Sequence, residues 1–333
     1  MSLTPRHSHP ERLEWVDIAK GVGIVLVVFG HALRGIEMAG QIDFHGFWGY
    51  VDRLIYSFHM PMFFLLSGYL FSSALTRDAL PFLKSRVTRL IWPLFLWTWV
   101  FFGAKALAGD LPNTSLAEAG GFPFFPLPPR AHFWFLWGLF LVSVITYGIS
   151  RLAFMMPGLG LWIGILAVDL LCLSHFGLQG GQYLWFPALS YYLGFFLLGL
   201  VLRNLPVPAP SGKGLALAFL VFVAGCTIAS LTYFESSTRY ALGAVLCLSL
   251  CYLLRGCNPL GSPGRTLQRL GNASMAIYLT HTIIGAPIRI ALMKAGVTQI
   301  GWLLAAVTIA GIVAPLLLDN LARRYGVSKY LGW

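Results

Sequence analysis

Long apolar segments separated by short polar connections run through the chain from end to end. Averaged over windows of helical length, they fall at about 16–36, 54–74, 90–108, 133–150, 158–176, 184–202, 214–232, 239–255, 273–293 and 299–318. At about 1.5 Å of rise per residue, such segments cross most or all of a hydrocarbon core about 30 Å thick. The pattern predicts an all-α, polytopic membrane protein with about ten transmembrane helices, and an even number puts both termini on one side. With cytoplasmic termini, 16 of the 23 Lys and Arg residues fall inside. The 7 outside are Arg34, Arg53, Lys105, Arg130, Arg239, Arg289 and Lys294, the bias that the positive-inside rule describes.

Composition agrees with the pattern. Of 333 residues, 57% are hydrophobic and 11% charged, and the mean hydropathy is +0.74, more apolar surface than a soluble fold hides. The first apolar run is too long for a signal-peptide core and has no small-residue cleavage site after it, so it reads as a retained helix. Residues 1–333 are expected to form one integral-membrane domain, without a convincing internal repeat. The inside connection Val201–Gly214 is rich in Pro and Gly and reads as a turn or linker, the one plausible boundary between halves. The outside connection Gly109–Arg130 is the longest, and its GGFPFFPLPPR stretch is too proline-rich for regular helix, so it either dips into the membrane or caps a site.

The net charge of +11 is scattered among short loops instead of forming one basic stripe, which argues for topology and against a nucleic-acid partner. Cys172, Cys226, Cys247, Cys251 and Cys257 lie in or beside apolar segments without metal-type spacing, so they read as packing residues and no metal site is expected.

Ionisable groups within apolar spans are the candidate chemistry, because burying them is costly. On the first helix His31 follows Lys20 by eleven residues, about 16 Å along the axis, or half of the hydrocarbon core. A neutral imidazole with an ordinary pKa of about 6.5 suits a general base, although a lone buried histidine also serves to bond a neighbouring helix. Lys20 either snorkels to the inner surface beside Asp17, its i, i+3 neighbour, or helps hold an anion. Arg86 and Arg89, three apart at the start of the third span, suit phosphate oxygens or simply anchor the inner surface. The second span carries His59, Pro61, Ser67, Gly68 and Tyr69, the Ser-Gly pair permitting close helix contact. In the ninth, Ser274, Tyr278 and His281 share one face, with Asn272 and Ser274 also suited to capping a helix start. Trp134, at the start of the fourth, offers an apolar face for a sugar ring or a place in an interfacial belt.

Five segments resemble the integral-membrane acyltransferase-3 family, and within it the fucose 4-O-acetylase-like sugar O-acetyltransferases. They are DIAKGVGIVLVVFGH (17–31), FHMPMFFLLSGYL (58–70), the R-x-x-R of Arg86 and Arg89, FWFLW (133–137) and LGNASMAIYLTH (270–281). The resemblance implies acetyl-CoA as a cytoplasmic co-substrate and a carbohydrate or glycolipid hydroxyl as acceptor, in the inner membrane of a bacterium. It implies a catalytic group of His31, Lys20 and Asp17, with Arg86, Arg89 and Lys20 handling the donor. His59, Ser67, Tyr69, Trp134, Tyr278 and His281 are the candidate acceptor-binding residues. Lysine stands at position 20 where the family typically has arginine, and a point charge replaces a bidentate fork. The exported hydrolase-like domain of some relatives is not expected. Transfer directly to the acceptor and transfer through an acyl-enzyme both fit. A transporter or flippase is the alternative class, since intramembrane histidines and broken helices also suit a carrier, and Asp169 is the clearest acidic residue within a span; a receptor or assembly scaffold is a third.

Overall fold

A computed structural model describes residues 13–109, 111–155, 186–207, 209–231, 236–257 and 261–333. The expected fifth span, with Asp169 and Cys172, lies outside the described residues. Among those described, all regular structure is helical, as a bilayer demands of chains that must satisfy every backbone group internally. Among the described residues seven helices are long and apolar enough to cross a membrane, so the chain is a polytopic membrane protein.

The first helix, α1 (Glu14–Met38), is the hub. It packs against α2 (Phe47–Tyr69), α9 (Ser236–Arg255), α10 (Ser262–Asn272), α11 (Ser274–Lys294) and α12 (Ile300–Arg324). Two reciprocal glycine contacts draw helices together backbone to backbone. A Cβ on Gly21 would overlap the Leu267 carbonyl, and one on Gly271 the Asp17 carbonyl, locking α1 to α10. Gly68 and Gly199 do the same between α2 and α7 (Phe186–Asn204), the small-residue packing that replaces a hydrophobic driving force inside lipid. At the periphery, α8 (Gly212–Leu231) exposes Leu217, Phe219, Leu220 and Val223, which is the face lipid would cover.

Two elements differ from the sequence pattern for physical reasons. Helix α2 begins at Phe47, ahead of the expected 54, and ends at Tyr69, short of the expected 74. Its first turns contain Asp52 and Arg53, which depress hydropathy, yet both are satisfied: Asp52 by Arg34 at 2.7 and 3.0 Å, Arg53 by the Ser230 carbonyl at 2.9 Å. The chain then turns into α3 (Ser72–Leu75). The third span is the end of a 30-residue rod from Ala79 to Ala108, comprising α4 (Ala79–Arg86), a π-helical turn (Val87–Ile91) and α5 (Trp92–Ala108). Pro93 has no N–H for the Arg89 carbonyl and its ring would clash there, so the ladder widens before it.

The rest follows in order: a short 3₁₀ turn (Ala131–Phe133), α6 (Trp134–Met155), and α13 (Ser328–Leu331) after α12. At the end of the bundle where α1 begins, Trp15 meets Tyr69 edge-on at 5.1 Å and the Arg203 guanidinium lies 5.3 Å from the Tyr69 ring. Phe71 packs on Phe82 and Phe196 at the same end. The loop 111–130 folds back at the opposite end, where Asn113 Nδ2 donates to the Gly35 carbonyl at 2.9 Å.

Candidate active site

Three histidines from three distant parts of the chain meet in the bundle. Ring centroids of His31 and His281 are 5.0 Å apart, of His132 and His281 5.2 Å, and of His31 and His132 5.9 Å. Helix α1 carries His31, α11 carries His281, and the 3₁₀ turn before α6 carries His132. That turn is fixed from both sides. Arg130 Nη1 donates to the carbonyls of Ala119, Gly120 and Gly121 at 3.2, 2.9 and 3.0 Å. Ala131 takes a φ of 53°, a left-handed conformation that non-glycine residues adopt only where the surroundings enforce it. From α11, the Tyr278 hydroxyl donates to the His132 carbonyl.

Hydrogen bonds fix the direction of the protons. His281 Nδ1 faces two carbonyls, Tyr278 at 2.8 Å and Ile277 at 3.0 Å. It therefore carries the hydrogen, and in the neutral ring Nε2 is left as an acceptor. His31 Nδ1 lies 3.3 Å from that nitrogen and 2.9 Å from the Val27 carbonyl, so it too is the N–H. By this assignment from the network, the lone pair of His31 Nε2 is uncommitted. His132 and His281 are buried, whereas His31 retains partial access. The Nε2 of His132 is buried with no partner among the described residues.

His59 stands beside this cluster and not in ring contact with it. Its Nδ1 donates to the Ile55 carbonyl at 2.7 Å and its ring meets Tyr56 edge-on at 4.6 Å. Arg34 spans the gap between α1 and α2, paired with Asp52 and lying 3.2 Å over the Tyr56 ring centroid. Tyr278 packs against His132 and Phe135, each at 5.4 Å, and Trp134 lies 5.2 Å from Tyr192. Ser67 is half-buried along α2. Tyr69 stands at the other end of the bundle, with Trp15 and Arg203.

That other end is basic. Lys20 Nζ lies 3.5 Å from Asp17 Oδ1. The Arg86 guanidinium sits 5.2 and 5.4 Å from the rings of Phe71 and Phe82, and its Nε is buried without a partner among the described residues. The charged groups bearing on it are Arg89 and Arg77, both cations. Arg151 completes the patch: its Nη2 donates to the Arg77 carbonyl and its Nε to the Tyr147 hydroxyl at 3.0 Å. Arg89 rides on the π turn, exposed. Among the described residues no three His, Cys, Asp or Glu side chains converge as metal ligands would.

Residues 13–318 match the acyltransferase-3 family, described as an acyltransferase domain. The chain belongs to this family. Two similar proteins are both called Nodulation protein NolL. That of Mesorhizobium japonicum is 31% identical over 157 residues, 44% of this chain and 37% of its own. That of Sinorhizobium fredii is 31% identical over 132 residues, 39% of this chain and 34% of its own. The matched stretches thus span little more than a third of those relatives. No solved structure matches the chain.

The sequence pattern singled out His31, His59 and His281 and missed His132. A signal was present: His132 directly precedes the FWFLW run. Its position at the junction of a proline-rich loop and a helix disguised it as a loop residue.

Proposed function

We propose that the protein moves an acyl group, acetyl by preference, from acyl-CoA on the cytoplasmic side to a hydroxyl of a carbohydrate or glycolipid on the other side of a bacterial inner membrane. The observation that carries the reading is the proton order at His31, whose Nδ1–H is committed to the Val27 carbonyl and His281 Nε2, which leaves the Nε2 lone pair as the base on a partly accessible residue. His31 Nε2 takes the hydroxyl proton as the acceptor oxygen bonds to the thioester carbonyl carbon. The carbon–sulfur bond then breaks, and the CoA sulfur leaves as a thiol with the proton returned from the imidazolium. His281 holds the His31 ring in the required tautomer, and His132 Nε2 is assigned as donor to the developing oxyanion.

Arg86 and Arg89 are assigned to the phosphates of the donor, with Lys20 and its partner Asp17 at the same end of the bundle. Guanidinium groups with no ion-pair partner among the described residues suit that task, because a phosphate supplies acceptors such as the one that Arg86 Nε lacks there. About 16 Å of α1 between Lys20 and His31 is comparable to a pantetheine arm. The nucleotide can stay at the basic end while the thioester reaches the histidines. The topology completing this reading has about ten spans and cytoplasmic termini. His59, Trp134, Tyr278 and His281 would flank the acceptor; Ser67 and Tyr69, two residues apart on α2 and toward the basic end, would instead meet the donor.

Purified wild-type protein should consume acetyl-CoA thioester in the presence of a sugar acceptor. His31→Ala and His31→Gln should each lose about 10²–10⁴-fold in turnover with the folded fraction unchanged, since an amide hydrogen-bonds but is no base at neutral pH. Substantial turnover in either variant would move the chemistry elsewhere. Substrate movement without thioester consumption would make the protein a carrier.

A further inference from the structure

We infer that Arg289, on the outward half of α11, seats an oxyanion carried by the acceptor. The inference rests on the reading that an acceptor approaches His31 from that end.

Arg289 is 5% exposed, yet the partner found for its five donors among the described residues is a thioether, Met293 Sδ, at 3.5 Å from Nη1. Sulfur is a weak acceptor. The other buried or half-buried arginines of the outer half are satisfied. Arg34 is paired with Asp52, Arg53 donates to the Ser230 carbonyl, and Arg130 is held by three loop carbonyls. A buried guanidinium without an anion is costly to keep, so a cation retained in this state is a seat waiting for its counter-charge.

Its position fits the acceptor. It lies against Gly35 on α1: a Cβ there would be in ordinary contact with Arg289 Nε at 3.6 Å and Cδ at 3.9 Å. Gly35 follows His31 by one turn on the same face of α1, about 6 Å along the axis. The guanidinium therefore lies one turn outward of the base, and a group bound to it would stand about one sugar ring from a hydroxyl at His31. Asn113 brings the outer loop onto the same turn by donating to the Gly35 carbonyl. A planar fork binds a carboxylate or a phosphate bidentately. The shared chemistry is an oxyanion, either the carboxylate of an acidic sugar or the phosphate joining a sugar to its carrier.

The test is thermal unfolding of the whole protein in nanodiscs, titrated with methyl glucuronide, glucose 1-phosphate and neutral methyl glucoside. A ligand that binds the folded state raises the midpoint saturably. We expect a rise with one or both anionic probes and none with the glucoside; the probe that works names the source. Arg289→Gln should abolish the rise and Arg289→Lys should retain part of it; should the glutamine variant not fold, the lysine variant is compared directly with wild type. In transfer assays, Arg289→Gln should raise KM for the anionic acceptor about tenfold or more and leave KM for a neutral one unchanged. No rise with either anion, an equal rise with the glucoside, or a rise that survives in both variants would overturn the inference. Because unfolding does not depend on transfer, a saturable anion effect in a protein that consumes no thioester would sink the proposed activity and leave the anion seat standing.

Discussion

The histidine cluster and the basic end of the bundle are two regions of the molecule prepared in opposite ways. In the first, backbone carbonyls have committed Nδ1 of His31 and His281, as one also does for His59 beside them, before any substrate arrives. In the second, Arg86 has a buried Nε with no partner among the described residues and two like-charged neighbours. Groups that move protons must be oriented in advance, because reorientation adds to the barrier. Groups that bind a polyanion gain by staying unsatisfied until it comes, since the ligand then brings the missing acceptors and charge. The polarity of α1 joins the two: its start lies with the arginines and its fifth turn with the histidines.

Substitutions should separate the two kinds of preparation. The larger effect belongs to the histidine end. His132→Ala should lower turnover about 10²–10³-fold, the range for loss of an oxyanion donor. His132→Gln, which keeps an N–H donor, should recover at least part of it, whereas the same exchange at His31 recovers nothing. Equal inactivity of both His132 variants in folded protein would assign the residue to packing.

At the basic end losses should be smaller and should fall on the donor KM. Arg86→Ala and Arg89→Ala should each weaken acyl-CoA by about 1–3 kcal/mol of charge-assisted hydrogen bonding. A pantetheine thioester without the nucleotide should be handled alike by wild type and variants. Equal losses with both donors would refute phosphate recognition and reduce these arginines to surface anchors.

How much of this was legible in the sequence depended on whether a residue's surroundings were local. Helix α1 was legible because its apolar length, Lys20 and His31 all lie in one contiguous stretch. The start of α2 was not, because Asp52 and Arg53 read as a connection until Arg34, 18 residues earlier, and Ser230, 177 residues later, are known to satisfy them. The Gly68 contact was foreseeable as small-residue packing, but its partner Gly199 was not. Meeting His31 across 250 residues, His281 could be suspected from its helix face alone, whereas His132 needed the Arg130 anchor and the Ala131 turn. Arg289 registered only as an outside charge, since sequence does not reveal the lack of an acceptor around a side chain.

On the proposed function, donor and acceptor meet at one cluster from opposite faces of the membrane. The direct measurement uses sealed vesicles of known orientation, with acyl-CoA confined to the cytoplasmic side and an impermeant sugar acceptor to the other. The acceptor should be acylated across the intact membrane, and His31→Gln should abolish this. Transfer that requires both substrates on the cytoplasmic side would contradict the account, even with His31 proven catalytic.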